Sequence, residues 1–76
     1  MTGHVLIVDD SLTVRMDLKE AFEAAGIETT VCTTVAEAKD ALRRTSFSVL
    51  VIDVILPDGD GVELLAEVRR HPATAA

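Results

Sequence analysis

The sequence predicts an α/β protein in which helices cover both faces of a parallel sheet. Two runs, Val5–Val8 and Phe47–Ile52, are rich in β-branched and other apolar residues without alternation, which is typical of strands buried on both faces. Apolar residues recur at helical spacing after each predicted strand. Strands that alternate with helices form parallel sheets with right-handed crossovers. The predicted element order is therefore βαβαβα.

The first unit contains the strand Val5–Val8 and a helix over Leu12–Ala25. Ser11 precedes the helix as a candidate N-cap, and Gly26 follows it, where a glycine commonly ends a helix. The apolar stripe of this helix consists of Val14, Leu18, Ala21, Phe22 and Ala25.

The second unit is more polar. A weaker strand over Ile27–Val31 precedes a helix that opens with Thr34 and, three residues later, Glu37. This spacing is typical of a capping box, in which each side chain binds a free backbone N–H of the helix start. The stripe of the second helix consists of Val35, Ala38, Ala41 and Leu42.

The third unit begins with Phe47–Ile52 and continues into a loop over Pro57–Gly61, because proline and glycine supply turn conformations. Asp60 can cap the helix that follows, and that helix is expected to end at Arg69–His71, before Pro72. Its predicted stripe consists of Val62, Leu65 and Val68. We expect the stripes of all three helices to face the core.

Strand order follows from polarity. The first and third strands are apolar on both faces and should be interior, whereas Glu28–Thr30 makes the second strand suitable for an edge, which gives the order 2-1-3. The chain then reverses direction between the first and third strands, and such a reversal creates a crevice at the carboxyl ends of the strands. The residues at those ends are Asp9, Asp10 and Asp53.

Three carboxylates at one edge of a sheet repel one another. At a separation of roughly 5 Å and an effective dielectric near 20, each pair costs about 3 kcal/mol. An Asp pair alone is typical of turns and caps, but the joint placement of three favours a cation site. Magnesium binds carboxylates and phosphate oxygens and suits an open acidic crevice. An Asp beside that ion could attack a phosphoryl donor and form an aspartyl phosphate.

Composition narrows the functional classes. A chain of 76 residues holds at most one small domain, and its net charge of −6 disfavours nucleic acid as a partner. The single Cys32 supports neither a disulfide scaffold nor a zinc site and is expected to be an inert, half-buried residue. No apolar run is longer than the four residues of Val49–Ile52, which is too short to span a membrane, and the N-terminus lacks the basic and apolar regions of a signal peptide. These features predict a cytoplasmic, soluble protein that does not enter membranes.

Two segments carry a resemblance to a known family. Val5-Leu6-Ile7-Val8-Asp9-Asp10-Ser11 and Val51-Ile52-Asp53-Val54-Ile55-Leu56-Pro57-Asp58-Gly59-Asp60-Gly61 resemble the signature segments of receiver domains of two-component response regulators. The resemblance implies a flavodoxin-like doubly wound sheet, of which this chain would form a part. It also implies phosphoryl transfer from a sensor histidine kinase or a histidine phosphotransfer protein.

The resemblance assigns roles by position. It implies that Asp53 is the phosphoacceptor, that Asp10 binds Mg²⁺ directly and that Asp9 binds it through water. The backbone carbonyl of Ile55, two residues after Asp53, would complete the protein ligands.

Receiver domains continue through two further strand and helix units, which bring a Thr or Ser and a Lys to the phosphoryl group. On this basis residues 1–76 are expected to be the N-terminal part of a single receiver domain, truncated after the third helix. The third strand would then be a sheet edge. The resemblance also implies that the last helix of a complete receiver covers the first helix, so part of the Val14, Leu18 and Phe22 stripe would be uncovered. Unpaired edges and exposed apolar faces associate, so we expect a homo-oligomer joined through the strand 3 edge or the helix 1 face.

The leading interpretation is a phosphoacceptor signalling module rather than an enzyme. An alternative is a truncated receiver that acts as a phosphorylation-independent interaction or oligomerisation module. A third interpretation is an aspartate-nucleophile phosphatase of the haloacid dehalogenase type, which needs a second Asp two residues after the nucleophile. Ile55 occupies that position here and argues against this interpretation.

Overall fold

The computed structural model describes residues 3–70 of the chain. Its elements are β1 (His4–Val8), α1 (Leu12–Ala24), β2 (Glu28–Cys32), α2 (Val35–Arg44), β3 (Val49–Ile52), β4 (Ile55–Leu56), β5 (Gly59–Asp60) and α3 (Gly61–Arg70). The end of the third helix at His71 and the following Pro72, as predicted from the sequence, lie outside the described residues. Within the described range, no helix is long and apolar enough to cross a membrane.

The main sheet has the order β2-β1-β3 with all strands parallel, which confirms the predicted fold class and strand order. In the register of the sheet, Val8 lies opposite both Cys32 and Ile52. The strands therefore end at the same level. The residues that follow β1 and β3 emerge side by side at the carboxyl edge.

The central strand β1 forms the middle of the core, with Val5–Val8 buried. Because side chains alternate along a strand, Leu6 and Val8 point to one face of the sheet, and Val5 and Ile7 point to the other. Leu6 and Val8 belong to the main core cluster, which α2 and α3 cover with their buried residues. These residues are Ala38, Ala41, Leu64 and Val68. Helix α1 also packs on β1 and β2, and the main cluster contains none of its residues.

The predicted apolar stripe of the third helix is wrong in part. Leu64 is only 2% exposed and Val68 is buried, whereas Val62 is 58% exposed and Leu65 38% exposed. The cause is the start of the helix: Gly61 is buried against the backbone of Asp53. Once that residue faces the core, Leu64 and Val68, three and seven residues later, face it as well. The first two positions of the predicted stripe are therefore shifted by one residue, and the third is correct.

The prediction that the stripe of the first helix is core is also wrong for the described residues, because α1 contains no buried residue. Leu18 and Phe22 are half-buried, and Val14 is exposed. Helix α1 packs on β1 and β2, and this contact covers Leu18 and Phe22 only in part. Helix α2 agrees with its prediction in Ala38 and Ala41, which are buried.

The loop predicted over Pro57–Gly61 is a small hairpin instead. Strand β4 pairs antiparallel with β5, so that Ile55 lies opposite Asp60 and Leu56 opposite Gly59. Pro57 and Asp58 form the turn between them. Leu56 is buried in the core cluster, which fixes the hairpin to the body of the protein.

The predicted helix caps are present, with one difference. The Ser11 Oγ accepts from the Val14 N–H, and the Asp60 carboxylate accepts from the Val62 N–H at 2.7 Å. The Thr34 Oγ1 accepts from the Glu37 N–H at 3.1 Å. The Glu37 carboxylate, however, accepts from the N–H and the hydroxyl of Thr33, the residue before the cap.

Helix α1 ends at Ala24, one residue before its predicted end. Gly26 follows with a φ of +79°, the left-handed conformation that favours glycine after a helix.

Candidate functional site

Three carboxylates meet at the carboxyl edge of the sheet. Asp9 and Asp10 follow β1, Asp53 follows β3, and each offers an oxygen within 4.8 Å of the others. Asp9 and Asp53 are half-buried, and Asp10 is exposed. We call these residues the acidic cluster. The structure thus brings together the three side chains that the sequence predicts to meet.

The backbone of the sheet holds the cluster in place. The Asp9 N–H donates to the Cys32 carbonyl at 3.0 Å, and the Asp53 N–H donates to the Val8 carbonyl at 2.8 Å. These bonds continue the parallel ladder one residue beyond each strand. Both carboxylates therefore start from fixed backbone positions on adjacent strands, about 4.8 Å apart in the sheet.

Further bonds orient Asp9. Its Oδ1 accepts from the Ser11 N–H at 2.8 Å, which is typical of an Asx turn. The Arg15 guanidinium donates to the backbone carbonyl of Asp9 at 2.9 Å. The sequence pattern alone does not assign Arg15 to the site. The sequence feature that could have indicated it is the position of Arg15 in the first turn of α1, from which a long basic side chain can reach back to the loop after β1.

The residues after Asp53 pack closely on its backbone. The Gly61 N–H donates to the Val54 carbonyl at 2.8 Å, which joins the start of α3 to the base of the hairpin. A Cβ at Gly61 would lie 1.8 Å from the backbone oxygen of Asp53, so only glycine fits there. Ile55, the predicted carbonyl ligand, opens β4 two residues after Asp53, and its side chain points largely into solvent.

Asp58 has a role that the sequence does not localise. An Asp in this loop is expected to serve a turn or a cap, and the structure shows that it caps α2, more than twenty residues earlier in the chain. Its two carboxylate oxygens accept from Val35 N–H at 2.7 Å and Ala36 N–H at 3.1 Å. The Val35 N–H bond in particular lowers the pKa of Asp58 below its ordinary value of 3.8.

Two other groups near α2 have shifted pKa values. The hydroxyl of Thr33 donates to the Glu37 carboxylate and, as the largest cause, lowers the pKa of Glu37. Cys32 is buried rather than half-buried as predicted, and burial raises the pKa of its thiol. A thiol that is buried and kept protonated is a poor nucleophile, which agrees with the inert role expected from the sequence.

The donor set of the acidic cluster fits magnesium. All three side chains offer carboxylate oxygens, which hard divalent cations prefer, and the cluster contains no sulfur or imidazole ligand. Exposure of Asp10 leaves room for waters, which Mg²⁺ usually retains.

A parallel β2-β1-β3 sheet with aspartates at its carboxyl edge, at a reversal of the chain, defines a doubly wound α/β domain of the flavodoxin-like class. A family model for the response regulator receiver domain matches residues 5–76. The chain belongs to the response regulator receiver domain family.

Several curated relatives support this assignment. The transcriptional activator protein PfeR of Pseudomonas aeruginosa is 36% identical over 71 residues, which are 93% of this chain and 23% of PfeR. The aerobic respiration control protein ArcA of Escherichia coli K12 is 35% identical over 74 residues, 97% of this chain and 31% of ArcA. The DNA-binding transcriptional regulator NtrC of the same organism is 37% identical over 71 residues, 92% of this chain and 15% of NtrC. This chain thus spans less than a third of the length of these relatives.

Solved structures show the same fold. The N-terminal domain of a response regulator receiver protein from Methanoculleus marisnigri superposes with a TM-score of 0.89 and 26% identity, covering 96% of this chain and 59% of that chain. The receiver domain of the Francisella response regulator 1452 has a TM-score of 0.84 and 35% identity, covering 90% of this chain and 56% of that chain.

Proposed function

We propose that this chain receives a phosphoryl group on Asp53 with Mg²⁺ held by the acidic cluster. Receiver domains of response regulators act in two-component phosphorelay signalling, so the class of function follows from the family. The observation that supports the finer assignment is the meeting of three carboxylates within 4.8 Å at the carboxyl ends of two adjacent strands. The proposed donor is a phosphohistidine on a sensor histidine kinase or a histidine phosphotransfer protein.

Each residue of the cluster has a proposed role. Asp10 is a direct ligand, Asp9 a ligand through water and Asp53 both ligand and nucleophile, with the backbone carbonyl of Ile55 as a further ligand. Mg²⁺, when bound, would offset the negative charge of the carboxylates and of the incoming phosphoryl group.

In the proposed transfer step, a carboxylate oxygen of Asp53 attacks phosphorus, the phosphorus–nitrogen bond of the phosphohistidine breaks, and its electron pair stays on the imidazole. The product is an aspartyl phosphate. The chain acts as a phosphoacceptor rather than as a turnover enzyme.

Magnesium binding is the first test. Replacing Asp10 with Asn keeps the shape of the side chain but removes a negative ligand, so the affinity for Mg²⁺ should fall by roughly tenfold or more. Titration calorimetry of the unmodified chain and of Asp10→Asn measures this directly. Asp17→Asn, on an exposed position of α1, is the matched control, because it changes the net charge equally and lies outside the cluster. Equal affinities of Asp10→Asn and the unmodified chain would rule out the metal assignment.

A second candidate function is phosphorylation-independent interaction. The observation that favours it is the position of β3 at the edge of the sheet, with Val49 47% exposed, among the residues that the structure describes. The face of α1 formed by Val14, Leu18 and Phe22 is a second candidate surface, because Val14 is exposed and the other two side chains are only half-buried. Unpaired strand edges offer backbone donors and acceptors to a second copy, and exposed apolar side chains add area to such a contact.

This candidate predicts self-association. A chain of these 76 residues should sediment at micromolar concentration as a dimer or a larger homo-oligomer, joined through the β3 edge or the α1 face, without any phosphodonor. Val49→Lys should weaken the association if β3 forms the contact, and Val14→Lys should do so if the α1 face forms it. A compact monomer that unfolds cooperatively would refute self-association and leave the phosphoacceptor function unaffected.

A further inference from the structure

The hairpin β4–β5 is anchored at both of its ends. At its base, the Gly61 N–H binds the Val54 carbonyl, and Gly61 touches the backbone of Asp53. At its tip, the Asp58 carboxylate binds two backbone N–H groups of α2. The hairpin is therefore a short, doubly fixed connection between the acidic cluster and the N-terminus of α2.

The contact at the tip is specific in its geometry. The free N–H groups of Val35 and Ala36 are each taken by a different oxygen of Asp58, while the next N–H, that of Glu37, binds Thr34. A carboxylate at a helix N-terminus is also favoured by the helix dipole, and its hydrogen bonds are charge-assisted. The turn packs closely as well, since a Cβ at Gly59 would lie 3.0 Å from the Val35 Cγ2.

We propose that Asp58 is a positioning residue for the phosphoacceptor site: by fixing the hairpin tip to the first turn of α2, it holds the backbone after Asp53 in the geometry that binds Mg²⁺. The inference rests on the proposed function, because it assigns Asp58 an effect on that metal site. Asp58 itself does not belong to the acidic cluster. It acts through the hairpin backbone, which includes Ile55.

The link between the Asp58 cap on α2 and the metal site has two consequences. Without the Asp58 bonds, the hairpin tip loses its hydrogen bonds to α2, while the base anchor, the Asp60 cap and the buried Leu56 remain. The backbone that carries the Ile55 carbonyl is then less firmly fixed. Residues that orient metal ligands typically change metal affinity by 10–100-fold when they are replaced. Because coupling between two sites is reciprocal, metal binding at the cluster should also strengthen the Asp58 cap and protect the first turn of α2.

A set of variants separates positioning from simple helix capping. Asp58→Ala removes both acceptors, and Asp58→Asn keeps one oxygen acceptor without the charge. Thr34→Ala is the matched control, because it removes a different cap of the same helix start and leaves the hairpin bonds in place. Titration calorimetry with Mg²⁺ alone should show a loss of roughly tenfold for Asp58→Ala, a smaller loss for Asp58→Asn and unchanged affinity for Thr34→Ala.

Amide hydrogen exchange supplies a readout without phosphorylation. In the unmodified chain, Mg²⁺ should slow exchange at Val35 and Ala36, and in Asp58→Asn this slowing should shrink. Unchanged Mg²⁺ affinity in both Asp58 variants would overturn the inference, as would an equal loss in Thr34→Ala, which would assign the effect to helix stability. If Asp58→Ala does not fold, the comparison of Asp58→Asn with Thr34→Ala decides the question. Failure of the proposed metal site is recognised separately, because Asp10→Asn would then bind Mg²⁺ as well as the unmodified chain does.

Discussion

Replacing Asp53 with Asn is expected to abolish phosphorylation by a small phosphodonor such as acetyl phosphate in the presence of Mg²⁺. The carboxylate oxygen of Asp53 would attack phosphorus and release acetate, and the amide of Asn is not a comparable nucleophile. Loss of a nucleophile typically lowers a reaction rate by several orders of magnitude. Intact-mass measurement after incubation with acetyl phosphate should show one added phosphoryl group on the unmodified protein and none on Asp53→Asn.

Two controls sharpen this experiment. Asp17→Asn changes the same residue type on the exposed surface of α1 and should be labelled normally. The resemblance to receivers implies that a Thr or Ser and a Lys from later strands contact the phosphoryl group, so a longer protein that carries those residues should react far faster than the 76-residue chain. Undiminished labelling of Asp53→Asn would remove Asp53 from the role of phosphoacceptor.

The features that the sequence predicts well depend on strong, repeated signals. The apolar run Val5–Val8 is buried at the centre of the parallel sheet, as its sequence predicts. The run before Asp53 pairs with it as predicted, but in the described residues β3 is an edge strand with Val49 47% exposed, and it is not buried on both faces. The polarity of Glu28–Thr30 is enough to place β2 at an edge and to fix the strand order. From that order, the meeting of the three aspartates follows from topology alone.

The features that the sequence misses depend on close tertiary contacts. The rotation of α3 is set by the contact of Gly61 with Asp53, and Leu64 and Leu65 are equally apolar, so periodicity alone cannot choose between them. Which helix Asp58 caps depends on the docking of a hairpin across more than twenty residues of chain. Local sequence patterns indicate residue types and spacing, but they do not indicate which residues far apart in the chain come into contact.

Gly61 links the fold to the site, and its replacement by Ala should have the largest effect on stability among the glycine positions. The added Cβ would lie 1.8 Å from the Asp53 backbone oxygen and 2.9 Å from the Ile52 Cγ2, so the backbone of β3 or α3 must move. Overpacking of this kind typically costs about 1–3 kcal/mol, and more where backbone atoms clash. For a domain of this size each kcal/mol lowers the melting temperature by roughly 4–8 °C. Thermal unfolding followed by circular dichroism measures the change.

The matched control is Gly3→Ala, where the new Cβ would meet the Ser48 Oγ at 3.5 Å, an ordinary van der Waals contact. Its melting temperature should stay close to that of the unmodified chain, while that of Gly61→Ala falls. Because the displaced atom belongs to Asp53, any folded fraction of Gly61→Ala should also bind Mg²⁺ more weakly than Gly3→Ala does. Equal melting temperatures for the two variants would show that α3 can move away from β3 at little cost, and that the close approach of Gly61 does not fix the position of Asp53.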